Sequence, residues 1–195
     1  MVLRDVDPAL GAIIDSVGPL TVRLAEDRFV ELAASIVSQQ LSVKAADTIW
    51  GRFAALGPVT PQAVLGHAEE TLRAVGLSGA KARYMRDLAG HVADGRLDLV
   101  AIDDLDDEAV IEALTQVKGI GRWTAEMYLI FALGRPDVLA LDDLGIRRAA
   151  GWVPGHERPA TREELEEAGE RWSPHRSTAS RYLWASLNNE PTGKL

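Results

Sequence analysis

Apolar residues recur along the chain every three or four positions, the period of helices that bury one face. Phe29, Leu32, Ala33, Ile36 and Val37 form one such stripe, which stops near Ser38-Gln39-Gln40-Leu41-Ser42. Ser42 is placed to cap a further helix carrying Val43, Ala46, Ile49, Trp50 and Phe53, and Gly57-Pro58 breaks it. Upstream, Asp7-Pro8 starts a short helix through Ile14, closed by Gly18-Pro19. Downstream, Thr60-Pro61 supplies a hydroxyl cap with proline at the first helical position, and two short helices reach Gly76. The segment Gly76-Leu77-Ser78-Gly79-Ala80-Lys81-Ala82-Arg83-Tyr84 leads into a helix that runs to about Asp94. Five more helices are predicted over 108–117, 122–133, 143–150, 162–171 and 178–187, with acids at 103–108 capping the first. A loop rich in glycine and proline, Gly151-Trp152-Val153-Pro154-Gly155, follows the third of these. No period-two alternation and no repeat interrupts the pattern, so the fold class is all-α.

Composition narrows the setting. With 195 residues, 47% of them hydrophobic, the chain can bury a core as one compact unit. No apolar run approaches the roughly 18 residues of a membrane span, and MVLRDVDPAL lacks a signal peptide's apolar region. A cytoplasmic protein is expected. The chain has no cysteine, which excludes disulfides, Cys-ligated zinc and an iron–sulfur cluster.

The chemistry concentrates around Gly119-Ile120-Gly121, set between two predicted helices. Two such glycines permit positive φ and leave the backbone bare. The N–H groups of Gly121 and its successors then open a helix, whose start attracts phosphate. This is a helix–hairpin–helix pattern, a grip on the nucleic-acid backbone that reads no sequence. Further on, Leu141-Asp142-Asp143-Leu144-Gly145-Ile146 puts an acidic pair before another helix. A lone Gly-x-Gly usually just ends a helix, and an Asp before a helix is most often its cap. Here the match is longer: VKGIGRWTAEM, a polar connection, then LALDDLGIRRA. The net charge of −8 runs against nucleic-acid binding. Nine acids sit in two runs, Asp103, Asp104, Asp106, Asp107 and Glu108, and Glu163, Glu164, Glu166 and Glu167. The remainder is about neutral, which accommodates a DNA face if those runs point elsewhere.

This stretch resembles the helix–hairpin–helix DNA glycosylases. Ser35-Ile36-Val37-Ser38-Gln39-Gln40-Leu41-Ser42, Gly76-Leu77-Ser78 with Lys81 and Tyr84, and Trp172-Ser173-Pro174-His175-Arg176-Ser177 with Trp184 extend the likeness to the AlkA-type 3-methyladenine DNA glycosylases. The likeness runs from about Asp7 to Asn188, without the N-terminal β-domain of the longer form. It implies a single glycosylase unit of two α-helical lobes, a central one over about 30–133 and a second from the N-terminal segment plus about 134–195, with the active site in the cleft between them.

By resemblance, Asp143 is the catalytic carboxylate, and Trp123, Trp184 and Met127 line the base pocket. A tyrosine is the family's residue at position 127. Gln40, with Gln39 and Leu41, is the wedge that fills the space a flipped base leaves. Gly119, Gly121, Arg122, Thr124, Lys81, Arg147, Arg148 and Arg176 are phosphate contacts. Carbonyls of Thr115, Val117 and Ile120 are candidates to hold Na+ or K+. Enzymes of this superfamily that also cut the backbone carry a lysine where this chain has Trp123, so the resemblance implies a monofunctional enzyme. The expected partner is double-stranded DNA containing alkylated bases, met by a monomer that needs no cofactor and no membrane, at the nucleoid. A non-catalytic helix–hairpin–helix DNA-binding module is the alternative. A glycosylase-lyase for oxidised bases is disfavoured by Trp123.

Overall fold

The computed structural model describes residues 3–21, 24–152 and 158–188, and the regular structure among them is entirely helical. The chain divides into two compact units. One is Leu24–Leu133; the other comprises the described residues of Met1–Arg23 and Gly134–Leu195.

The Leu24–Leu133 unit contains α3 (Arg28–Ser38), α4 (Val43–Ala54), α5 (Pro61–Gly66), α6 (Glu69–Ala74), α7 (Gly79–Ala93), α8 (Asp107–Thr115) and α9 (Arg122–Tyr128). Asp27 caps α3 by accepting from the N–H groups of Phe29 and Val30 at 2.9 and 3.0 Å. All five residues of the predicted α3 stripe are buried. The α4 stripe is only partly core. Ala46 and Phe53 are buried, Ile49 and Trp50 are half-buried, and Val43 is 78% exposed at the first turn.

Only one residue of the acidic run, Asp106, caps a helix. A 3-10 turn, Ala101–Asp104, occupies the run's first half, and Asp106 then accepts from Ala109 N–H at 2.8 Å to start α8. Glu108 therefore lies inside α8, whose end comes two residues before the predicted Val117. The helix predicted over 122–133 is α-helical only to Tyr128, then widens to a π-helix over Leu129–Leu133. There the Arg28 guanidinium donates to the Ala132 carbonyl at 2.5 Å, a side chain entering the helix's own hydrogen-bond ladder.

The second unit contains α1 (Leu3–Val6), α2 (Pro8–Val17), α10 (Leu144–Trp152), α11 (Arg162–Trp172) and α12 (Arg176–Asn188). Asp7 caps α2 with one carboxylate oxygen and accepts the Trp172 indole N–H with the other, at 2.8 Å. Helix α10 continues through Gly151 and Trp152, which the sequence pattern assigns to a loop; Val153-Pro154-Gly155 lie outside the described residues. Gly151 is buried, where an added Cβ would meet the Arg158 carbonyl. Thr161 and Glu164 cap α11 reciprocally.

Helix α12 begins at Arg176, two residues before its predicted start, because Asp137 holds that residue. The guanidinium donates to both carboxylate oxygens at 2.8 Å, and the Arg176 N–H and Ser173 hydroxyl add further donors. These bonds hold the Asp137 pKa down at about 2. A depressed carboxylate pKa stabilises the fold above the unfolded value near 3.9, and that stability is lost as pH falls toward 2. Asp137→Asn is expected to lower unfolding stability at neutral pH by roughly 1–2 kcal/mol, a figure discounted for the partly exposed Arg176. Urea unfolding of both proteins between pH 2 and 7 checks this, and the gap should close at the acid end.

Candidate functional site

The hairpin lies within the Leu24–Leu133 unit. Leaving α8, the chain makes two tight turns, with Val117 N–H donating to Leu114 and Ile120 N–H to Val117, each at 3.1 Å. Val117 and Ile120 are buried and anchor the turn. Gly119 adopts φ +86°, and an added Cβ would stand 2.2 Å from the Tyr84 ring. Both conformation and space require glycine there. Gly121 differs from the sequence expectation. Its φ of −93° is open to any residue, and an added Cβ would meet nothing within 4 Å. It starts α9 with no side-chain cap. The carboxylate of Asp87 supports the turn by accepting Lys118 N–H at 2.8 Å.

Several predicted phosphate contacts are engaged within the fold. Arg122 donates to Glu108 with both terminal nitrogens and to buried Glu126 through Nε, and these carboxylates push its pKa further up. Glu108, from the first acidic run, thus stands at the hairpin. The Lys81 ammonium donates to the carbonyls of Val37 and Gln39 at 2.8 and 2.6 Å, and burial lowers its pKa. Lys81 is therefore a cap on α3, not a free cation. Thr124 is buried. The Thr115 hydroxyl donates to the carbonyls of Ile111 and Glu112.

Beside the hairpin is an open groove of about 970 Å³. Gln40, Leu41, Trp50, Tyr84, Trp123 and Met127 are among its walls. Trp123 is 46% exposed and Met127 is half-buried. Gln40 is exposed and has a left-handed backbone, φ 55°, rare for a residue with a side chain. Gln39, grouped with the wedge in the sequence, instead donates its amide to the Gly119 carbonyl at 2.8 Å. Trp50 and Tyr84 join the groove without having been singled out as site residues, although Tyr84 falls in a resemblance block.

Asp143 lies in the other unit. Among the two adjacent acids it is the buried one, 5% exposed, while Asp142 is exposed and pairs with Arg162. One oxygen of Asp143, Oδ1, accepts Ile146 N–H at 2.7 Å and the Trp184 indole N–H at 3.0 Å. The first bond caps α10, whose positive end favours negative charge. The second gives Trp184 a role beyond the predicted pocket wall. Gly145 permits this approach, since a Cβ there would lie 3.0 Å from the indole nitrogen and 3.1 Å from Oδ1. Arg147 donates through Nε to the Ala160 carbonyl at 2.8 Å, and Arg176 is held by Asp137. Both of these candidate phosphate contacts also have acceptors within the fold. Arg148 is exposed, with its guanidinium 5.0 Å over the Trp152 ring.

Solved structures of known proteins share this fold. A structure of a DNA-3-methyladenine glycosidase from Bacillus halodurans superposes with a TM-score of 0.85 at 37% identity, covering 96% of this chain and 89% of that one. Schizosaccharomyces pombe 3-methyladenine DNA glycosylase, in complex with abasic DNA, gives a TM-score of 0.87 at 32% identity, with 95% and 94% covered. DNA-3-methyladenine glycosylase 1 of the same yeast is 35% identical over 164 residues, 82% of this chain and 72% of that protein. Residues 33–175 match the HhH-GPD superfamily of base excision DNA repair proteins, and the chain belongs to that superfamily.

Proposed function

We propose that the protein is a monofunctional DNA glycosylase that removes alkylated bases, such as 3-methyladenine and 7-methylguanine, by hydrolysing the N-glycosidic bond in base excision repair. Asp143 carries this reading: a buried carboxylate fixed by two N–H donors at a helix start, in a chain whose relatives are named for that activity. A base inside a duplex cannot be reached, so the nucleotide is extruded at a cost of a few kcal/mol, less when damaged. Gln40, with Leu41 beside it, fills the gap. The extruded base meets Trp123 and Met127. Purines alkylated at N3 or N7 are cationic, and an indole face attracts a cation by ~0.5–2 kcal/mol.

When the glycosidic bond breaks, its electron pair leaves with the base and neutralises it. No acid is needed to protonate this leaving group. Positive charge grows on the sugar, where the preorganised Asp143 carboxylate stabilises it. Water adds at the anomeric carbon and gives up a proton, leaving an abasic site. Tryptophan at 123 offers no amine, so no Schiff base forms there and the backbone stays intact.

The N–H groups at the start of α9 bind backbone phosphate in this reading. Carbonyls of Thr115, Val117 and Ile120 suit a hard monovalent cation such as Na+ or K+. The Val117 carbonyl already accepts Ile120 N–H, but a second lone pair remains. The protein acts on duplex DNA as a monomer, in the cytoplasm at the nucleoid. No helix among the described residues is long and apolar enough to cross a membrane.

Asn caps a helix as well as Asp does. Asp143→Asn should therefore keep the fold and duplex affinity while slowing single-turnover base release by about 100-fold or more. Asp142→Asn, which breaks only an exposed ion pair, should change the rate by less than about threefold. An essential Asp142 and dispensable Asp143 would move the reaction to the wrong carboxylate for this account. The hairpin glycines should also separate. Gly121→Ala should leave thermal stability intact yet weaken binding to damaged and undamaged duplexes alike. Gly119→Ala should destabilise the protein itself by about 1–3 kcal/mol. Weakening confined to damaged DNA in Gly121→Ala would argue against a phosphate grip.

A further inference from the structure

One hydrogen bond ties the Gln40 loop to the hairpin, and two more tie the end of α3 to α7. Gln39 reaches across to the Gly119 carbonyl at 2.8 Å, while Lys81 holds the carbonyls of Val37 and Gln39 from the other side. Lys81 sits three residues before Tyr84 on α7, so both occupy one face of that helix. Tyr84 packs where a Gly119 side chain would stand. The end of α3 and the hairpin turn therefore rest on the same strip of α7, and Gln39 joins them directly. Between Gln39 and Leu41, Gln40 is held in its left-handed conformation, which persists only where the surroundings over-determine it.

We propose that Lys81 and Gln39 are positioning residues for nucleotide extrusion, a brace that couples the hairpin's hold on the backbone to the Gln40 loop that enters the vacated space. The proposal rests on the wedge role given to Gln40 above. Backbone gripped at the hairpin and a loop rigidly joined to it form one tool. A loop that wags on its own would enter the duplex without leverage. Lys81 directs two of its three N–H donors to the end of α3.

The test uses Gln39→Leu, Lys81→Met and Gln40→Ala, alone and combined, in the full chain. Single-turnover release is measured from a duplex carrying 7-methylguanine. Gap filling is followed by 2-aminopurine fluorescence beside a tetrahydrofuran abasic site, and affinity is measured on an undamaged duplex. Gln39→Leu and Lys81→Met should each slow release by about tenfold and blunt the fluorescence change, with undamaged-duplex affinity held within about twofold. Adding Gln39→Leu to Gln40→Ala should cost nothing further, since the brace acts through Gln40. Strictly multiplicative losses, or equal loss of release and of undamaged-duplex binding, would mean that the two residues only maintain the fold. If Gln40→Ala is impaired while both brace variants match the parent, the brace alone is overturned. If Gln40→Ala releases base at the parent rate, the wedge reading falls and the brace falls with it.

Discussion

At position 119 the backbone turns with φ +86° against the ring of Tyr84, and no side chain fits between them. The hairpin depends on that contact. It lets α8 end and α9 begin within a few residues, with Val117 and Ile120 buried beneath the turn. It also brings the Gly119 carbonyl to Gln39, so the loop after α3 takes its place from the same contact. Open space outside Gly121 then has a consequence, because a helix start faces outward on a backbone that cannot easily shift.

The second unit relies on a comparable close approach. Gly145 leaves room for the Trp184 indole to reach the Asp143 carboxylate, which already caps α10. A buried carboxylate without donors would be costly. One oxygen of Asp143 takes a backbone N–H and an indole N–H together. The same bonds that make the carboxylate tolerable in the fold fix its direction, and preorganised charge is what a developing sugar cation needs. Capping and catalysis are compatible uses of one side chain.

Much of this was legible in the sequence because it is local. The α3 stripe follows from its period, and the caps Asp7, Ser42 and Thr60 from short hydrogen bonds to nearby N–H groups. The order of glycine pair and acidic pair located both halves of the candidate chemistry. Non-local partners were not legible. Arg122, Lys81 and Arg176 read alike as cations, but each meets acceptors elsewhere in the chain: Glu108, the end of α3 and Asp137. Gly119 and Gly121 also read alike, and only the position of Tyr84 and the backbone angles distinguish a required glycine from an open one. The π-helix after Tyr128 follows no local pattern either, since it coincides with a guanidinium from α3.

The central claim is that this is hydrolysis at the sugar without a covalent amine intermediate. Borohydride trapping on a methylated duplex, read beside strand scission with and without alkali, tests it most directly. The account predicts release of free alkylated base, no trapped protein–DNA adduct, and scission only after alkali treatment. Efficient trapping coupled to base release, from Lys118 or any other lysine, would contradict it.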